Sequence, residues 1–175
     1  METNTTVNTM PRIGDQAPDF EAVTTKGKIK LSDFAKDKWV VMFSHPADFT
    51  PVCTTEMSGF ATRKAEFDAL NTELIGLSID SIHAHLGWVQ NVRQNTGVYF
   101  DFPIIADLDM KVAKLYGMLQ PNESETAAVR AVFFIDPSKK IRLIMAQHGV
   151  RFNDLQSLKH ANHYPVKEQP PQQGV

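Results

Sequence analysis

The sequence predicts a layered α/β domain, with a central mixed β-sheet flanked by helices. Three observations carry this reading. Nearly unbroken apolar runs of strand length occur, notably KWVVMFSH at Lys38–His45 and TELIGLSID at Thr72–Asp80, as expected of strands covered on both faces. Amphipathic segments of helical period separate these runs. Finally, VRAVFFID and IRLIMAQ are joined by the four-residue turn PSKK, which predicts an antiparallel hairpin. Crossovers between parallel strands followed by a closing hairpin make the sheet mixed.

The elements follow in order. Residues 1–12 read as a flexible polar leader, and the domain is expected over 13–146. Phe20–Thr24 is a short strand, Lys26-Gly27-Lys28 a turn, and the next strand ends at Leu31. Ser32 and Asp33 offer a cap for a short helical turn. After the first buried strand, Met57, Phe60, Phe67 and Leu70 fall on one helical face, so Thr54–Leu70 is predicted as a single helix. The second buried strand precedes SIHAHLGWVQNVRQ, a helix with Ser81 as its cap. FPIIAD is a third strand, MKVAKLYGM a short helix, and the hairpin closes the domain. From Gln147 the chain turns polar and ends KEQPPQQGV, a short tail read as loosely structured over 147–175.

Composition narrows the function. Hydrophobic residues make up 42% and charged residues 22% of 175, ordinary for a globular chain with a real core. The formal net charge is −2 with no basic block, so there is no electrostatic footprint for nucleic acid. No apolar run is long enough for a membrane span, and the amino-terminal stretch lacks the pattern of a signal peptide. A single cysteine cannot form an internal disulfide. It fits a reducing compartment, expected to be the cytoplasm.

That cysteine, Cys53, stands in HPADFTPVCTTE. Thr50 is a good helix N-cap and Pro51 suits the first helical position, which puts Cys53 at the third. Backbone N–H groups in this turn lack intrahelical acceptors, and the helix dipole is positive here, so a thiolate is stabilised. The preceding strand delivers the turn to the carboxyl edge of the sheet, the usual place for a site in open α/β folds. The plain alternative is a cap followed by a small core residue; the setting favours a reactive thiol. His83 and His85 form an H-x-H pair, but residues two apart on a helix do not share a face, and no further ligands show metal spacing. They are expected to be solvent-exposed. Trp88 is read as helix packing, and Asp48 and Phe49 as turn and packing residues. A cysteine-protease reading of Cys53 has no local signature to support it.

The pattern Pro46-x-x-x-Thr50-x-x-Cys53 resembles the signature of the peroxiredoxins, the alkyl hydroperoxide reductase and thiol-specific antioxidant family, and FSHPADFTPVCTTE resembles their one-Cys branch. The segments IGDQAPDFEAVTTKGKIKLSDF, LIGLSIDS, FPIIADLDMKVAKLYGM and VRAVFFIDPSKKIRLIM extend the resemblance over most of the chain. It implies a thioredoxin-like fold and a thiol-dependent peroxidase acting on hydrogen peroxide and alkyl hydroperoxides through a cysteine sulfenic acid. An external thiol, glutathione or a thioredoxin-like protein, would re-reduce it. No cofactor and no metal are implied, and a homodimer is.

Carried over by position, Cys53 corresponds to the peroxidatic nucleophile, Thr50 to the hydroxyl that orients sulfur and peroxide, and Pro46 to the wall against bulk water. Arg130 corresponds to the arginine that binds the sulfur and peroxide oxygens. His45 and Glu56 are supporting candidates: His45 near the sulfur or merely bonded to backbone, Glu56 paired with an arginine or serving the helix dipole. Arg151 is the candidate for a second family arginine, in a stretch where the resemblance weakens. Where some relatives carry a lipase-type serine, this chain has Lys38 and no nucleophilic serine, so phospholipase activity is not expected. The alternative function is a non-catalytic thioredoxin-fold redox sensor or binding protein.

Overall fold

The computed structural model describes residues 10–119 and 128–147. The expected leader falls mostly outside these; of the expected tail only Gln147 is described, as the last residue of a strand and not loosely structured, while 148–175, with Arg151, lie outside.

Twelve elements follow the predicted order. They are β1 (Glu21–Thr24), β2 (Gly27–Lys30), α1 (Leu31–Ala35), β3 (Trp39–Ser44), α2 (Pro51–Thr62), α3 (Lys64–Ala69), β4 (Thr72–Ser78), α4 (Ile82–Thr96), β5 (Ile104–Ala106), α5 (Lys111–Leu115), β6 (Arg130–Ile135) and β7 (Ile141–Gln147). The strands form one sheet in the order β2-β1-β5-β4-β3-β6-β7. β3, β4 and β5 are parallel, whereas β6 runs antiparallel to β3 and β7 antiparallel to β6. The mixed sheet and its closing hairpin are therefore as the sequence indicates. No helix among the described residues is long and apolar enough to cross a membrane.

Strand alternation splits the core between the two faces of the sheet. Val40 and Met42 of β3 join a cluster with Leu31, Leu77, Ile105, Val112, Tyr116 and Phe133. Val41 and Phe43 point the other way, into a cluster with Cys53, Met57, Leu74, Trp88, Phe102 and Ile104. Each large side chain fully buried here contributes about 1.5–3 kcal/mol. The second cluster holds α2 against the sheet, so the cysteine rides on a rigid support.

Two local expectations change. The predicted helix Thr54–Leu70 is two helices, broken at Arg63, whose φ of −104° and ψ of 9° leave the helical region. Met57 is buried, but Leu70 is 70% exposed. The apolar spacing could not show that the chain must bend at Arg63 to reach β4. Neither Ser32 nor Asp33 caps α1: the helix begins at Leu31, and the Ser32 N–H donates to the Asp19 carboxylate at 2.9 Å. A cap borrowed from a distant segment leaves no local signal. In α4, by contrast, Ser81 accepts from the Ala84 N–H as expected, and Gly97 ends the helix at φ 74°, where a side chain would be strained.

Candidate active site

The turn that carries the cysteine is set by backbone geometry. Leaving β3, the chain passes Phe49 at φ 58°, a left-handed conformation costing about 1–2 kcal/mol for a residue with Cβ. This reverses the chain into α2. Phe49 is the turn residue expected, 58% exposed, with its ring tip over Gly87 of α4. Thr50 holds the N-cap position with extended backbone, and Pro51 opens the helix. The Thr50 hydroxyl makes no capping bond; it donates to the Ala47 carbonyl at 3.1 Å and ties the turn together. Its proton thus spent, the oxygen can only accept from a further partner. Thr54 makes the first helical bond, to the Thr50 carbonyl at 3.0 Å, which leaves the Val52 and Cys53 N–H groups in the orphan turn.

Cys53 is 1% exposed. Pro46 is half-buried in the same connection. Arg130 reaches the sulfur from the sheet: its Nη2 lies 3.5 Å from Sγ. Topology explains the encounter. Because β6 is antiparallel to β3, the first residue of β6 sits beside the carboxyl end of β3. Ser44 fixes that edge, donating to the Val129 carbonyl at 2.6 Å and accepting from the Ala131 N–H at 2.9 Å. The other arm of the guanidinium, Nη1, is paired with Glu56 Oε2. Glu56 therefore serves the arginine, one turn beyond Cys53 on α2. Burial pushes its carboxyl above the ordinary value, against the opposing pull of Arg130. Its other oxygen, Oε1, is buried without a hydrogen-bond partner among the described residues.

His45 is buried at the end of β3 and its Nε2 is 2.8 Å from Asp48 Oδ1. It is not a backbone-bonded histidine. Asp48 also meets His85 Nδ1 at 2.7 Å through Oδ2. His85 is 0% exposed, which corrects the expectation of a solvent-exposed residue; His83, on the opposite helix face, is exposed. Asp48 is likewise more than a turn residue, because it joins two imidazoles. One candidate ligand atom from each lies within 4.8 Å of the other two, a grouping that sequence spacing did not reveal because the end of β3, the following turn and α4 each supply a part. Contacts of 2.7 and 2.8 Å are N–H···O distances, so protons already close this cluster. Trp88 packs as expected. Its indole also donates to Thr54 Oγ1 at 3.2 Å, tying α4 to α2.

A pocket of about 410 Å³ opens behind Arg130, with Glu56, His45 and Arg63 among polar walls and Phe43, Phe60, Phe67 and Met145 among apolar ones. Phe43 and Phe60 stack with centroids 4.1 Å apart.

A lone cysteine at a helix start, held by a threonine–proline turn and met by a guanidinium, is the setting of an activated thiol nucleophile. Comparison with known proteins agrees. Residues 13–144 match the AhpC/TSA family, and the chain belongs to it. It is 53% identical over 156 residues to a peroxiredoxin of Methanosarcina mazei, covering 86% of this chain and 71% of that protein. It is 57% identical over 136 residues to peroxiredoxin 2 of Caldanaerobacter subterraneus, covering 78% of this chain and 61% of that one. The chain thus spans roughly two thirds of the length of these relatives. Among solved structures, a yeast mitochondrial 1-Cys peroxiredoxin, studied for thiol resolution through glutathione and thioredoxin systems, superposes with a TM-score of 0.76 at 44% identity, covering 92% of this chain and 84% of that one.

Proposed function

We propose that this chain is a thiol-dependent peroxidase reducing hydrogen peroxide and alkyl hydroperoxides at Cys53, with Thr50, Pro46 and Arg130 as its site. The observation that carries this is the 3.5 Å approach of Arg130 Nη2 to Sγ at the start of α2. The thiolate sulfur forms a bond to the terminal peroxide oxygen as the O–O bond breaks. Two electrons pass from sulfur to the peroxide, leaving a sulfenic acid, and the departing oxygen takes a proton to leave as water or alcohol. Arg130 stabilises the charge as it moves from sulfur to oxygen. Thr50, with its own proton on Ala47, accepts from the hydroperoxide O–H.

With Cys53 the one thiol of this sequence, an external thiol attacks the sulfenic acid, releasing water and leaving a mixed disulfide, and a second thiol then releases Cys53 as the thiolate. The reductant proposed is glutathione or a thioredoxin-like protein, in keeping with the systems named for the yeast neighbour. A reducing compartment, the cytoplasm, would supply it. Arg151 is proposed as a second arginine of the site, as the family resemblance implies.

A homodimer is also proposed. Among the described residues β7 is an edge strand of seven residues whose Leu143 and Met145 are 42% and 37% exposed, a surface suited to pairing with another strand. A compact monomer at micromolar concentration in sedimentation would exclude it.

Stopped-flow mixing with hydrogen peroxide tests the activity. One equivalent should be consumed rapidly, and Cys53→Ser, nearly isosteric and folded, should consume none. Oxidation as slow as that of an ordinary thiol would instead support a non-catalytic redox sensor.

A further inference from the structure

Counting protons in the buried cluster beside the site leads to a role for His85. Its two ring nitrogens both face oxygen. Nε2 lies 3.1 Å from the Ile105 carbonyl, and Nδ1 lies 2.7 Å from Asp48 Oδ2. A carbonyl only accepts, so Nε2 carries a hydrogen. The contact with Asp48 then needs a second proton, which sits either on His85 Nδ1 or on the carboxyl oxygen. In both arrangements Asp48 Oδ1 is left as an acceptor, and His45 Nε2, 2.8 Å away, must be the donor. A neutral His45 holding its hydrogen on Nε2 has a bare Nδ1, and Nδ1 is the buried ring nitrogen that has no partner among the described residues. Burial pushes His45 below its ordinary value despite the carboxylate beside it, which keeps the ring neutral. Burial would raise Asp48, but hydrogen bonds with His45 and His85 hold it below its ordinary value.

We propose that His85 is a positioning residue of the site. It shares one proton with Asp48, and through that carboxylate it fixes His45 as the Nε2–H tautomer with Nδ1 bare. This rests on the peroxidase reading only for its effect on rate. The side chains of His85, Asp48 and His45 are 0%, 2% and 2% exposed, so water does not relax the arrangement. They also anchor the connection that carries Pro46, Thr50 and Cys53. The Asp48 N–H donates to Asp80 Oδ2 at 3.0 Å, and Ser78 Oγ donates to the same oxygen at 2.7 Å. α4, β5 and the end of β4 therefore all grip one turn. The other charged group facing the cluster is Asp80, and His45 lies against the Trp88 ring at 5.1 Å.

Two-bond proton–nitrogen correlation spectra of the whole chain labelled with ¹⁵N-histidine test this directly. In wild type, His45 should show a protonated Nε2 and a bare Nδ1, and His85 a protonated Nε2 with a slowly exchanging proton shared toward Asp48. A protonated His45 Nδ1, or a His85 Nδ1 with no proton in that contact, would overturn the proposal. His85→Leu should lose the single His45 tautomer and react with peroxide about tenfold more slowly, the low end of the loss seen when a hydrogen-bond partner that orients a metal-ligating histidine is removed. His85→Asn, which keeps a neutral amide donor toward Asp48, should restore both. If His85→Leu does not fold, the wild-type and His85→Asn spectra still decide. Equal rates in all three proteins, or a slowed His85→Leu that keeps the Nε2–H tautomer, would also overturn it. The spectra need no turnover, so a wild type inert to peroxide would end the peroxidase reading and leave the tautomer result standing.

Discussion

Arg130 stands 3.5 Å from the Cys53 sulfur through Nη2, and the same guanidinium grips Glu56 through Nη1. One planar cation thus ties the nucleophile's helix to the sheet at two points one helical turn apart. Lysine, a point charge, could not span both.

Arg130→Met should therefore remove a preorganised donor. Peroxide reduction should slow about 10²-fold or more, the scale seen when one such donor is lost. Alkylation of Cys53 at neutral pH should slow as well. Stopped-flow kinetics and iodoacetamide labelling measure the two separately. Wild-type values for both would place Arg130 outside the chemistry.

Glu56 links charge to pH. Burial raises its carboxyl above the ordinary value, so the folded chain holds that proton more tightly than the unfolded chain. Its contribution to stability is present below the ordinary carboxylate value and is lost as pH rises through the raised one. The melting temperature of Glu56→Gln relative to wild type should therefore improve as pH rises from about 4 to about 8. Its peroxide rate should fall, because Arg130 loses the partner that aims it. If Arg151 is the second arginine of the site, Arg151→Met should slow the reaction in the same direction. A wild-type rate would remove Arg151 from the site.

Asp136 works in the opposite sense. Burial would raise its carboxyl, but Ser138, the Lys140 N–H and Arg142 together hold it at about 2. A depressed folded value stabilises the chain above the unfolded value of 3.8, and that stability is lost as pH falls through about 2. In acid titrations, Asp136→Asn should start less stable at neutral pH and lose less between those values. Parallel curves for the two proteins would contradict this. The residue sits in the β6–β7 turn, so the test reports on the hairpin that presents Arg130.

Gly76, on β4, gives α2 room to lie close to the sheet. A Cβ there would come 3.1 Å from the end of Met57 and 3.5 Å from Ile104. Gly76→Ala should be tolerated, since the Met57 terminus can move. Gly76→Val should cost about 1–3 kcal/mol by overpacking and slow the peroxide reaction by shifting the helix that carries Cys53. Denaturant unfolding would show it; equal stability of Gly76→Val and wild type would refute the packing argument.

Much of this protein was legible before any coordinate. Strand-length apolar runs, separated by helical segments and closed by PSKK, set the α/β class and the final hairpin, because burial on two faces and tight turns leave local patterns. The place of Cys53 on its helix followed from Thr50 and Pro51, since helix starts are governed by neighbours in sequence. Arg130 was reached by family resemblance; its distance to the sulfur depends on β6 running antiparallel to β3.

What only the tertiary structure decided are contacts whose partners lie far apart along the chain. Asp19 caps α1 from thirteen residues away, and Asp48 meets His85 across thirty-seven. The H-x-H pair looked like surface because each histidine was judged by its own helix. Which of them is buried depends on how α4 lies across β4 and β5, where desolvation leaves a polar group viable only if distant residues meet its hydrogen bonds.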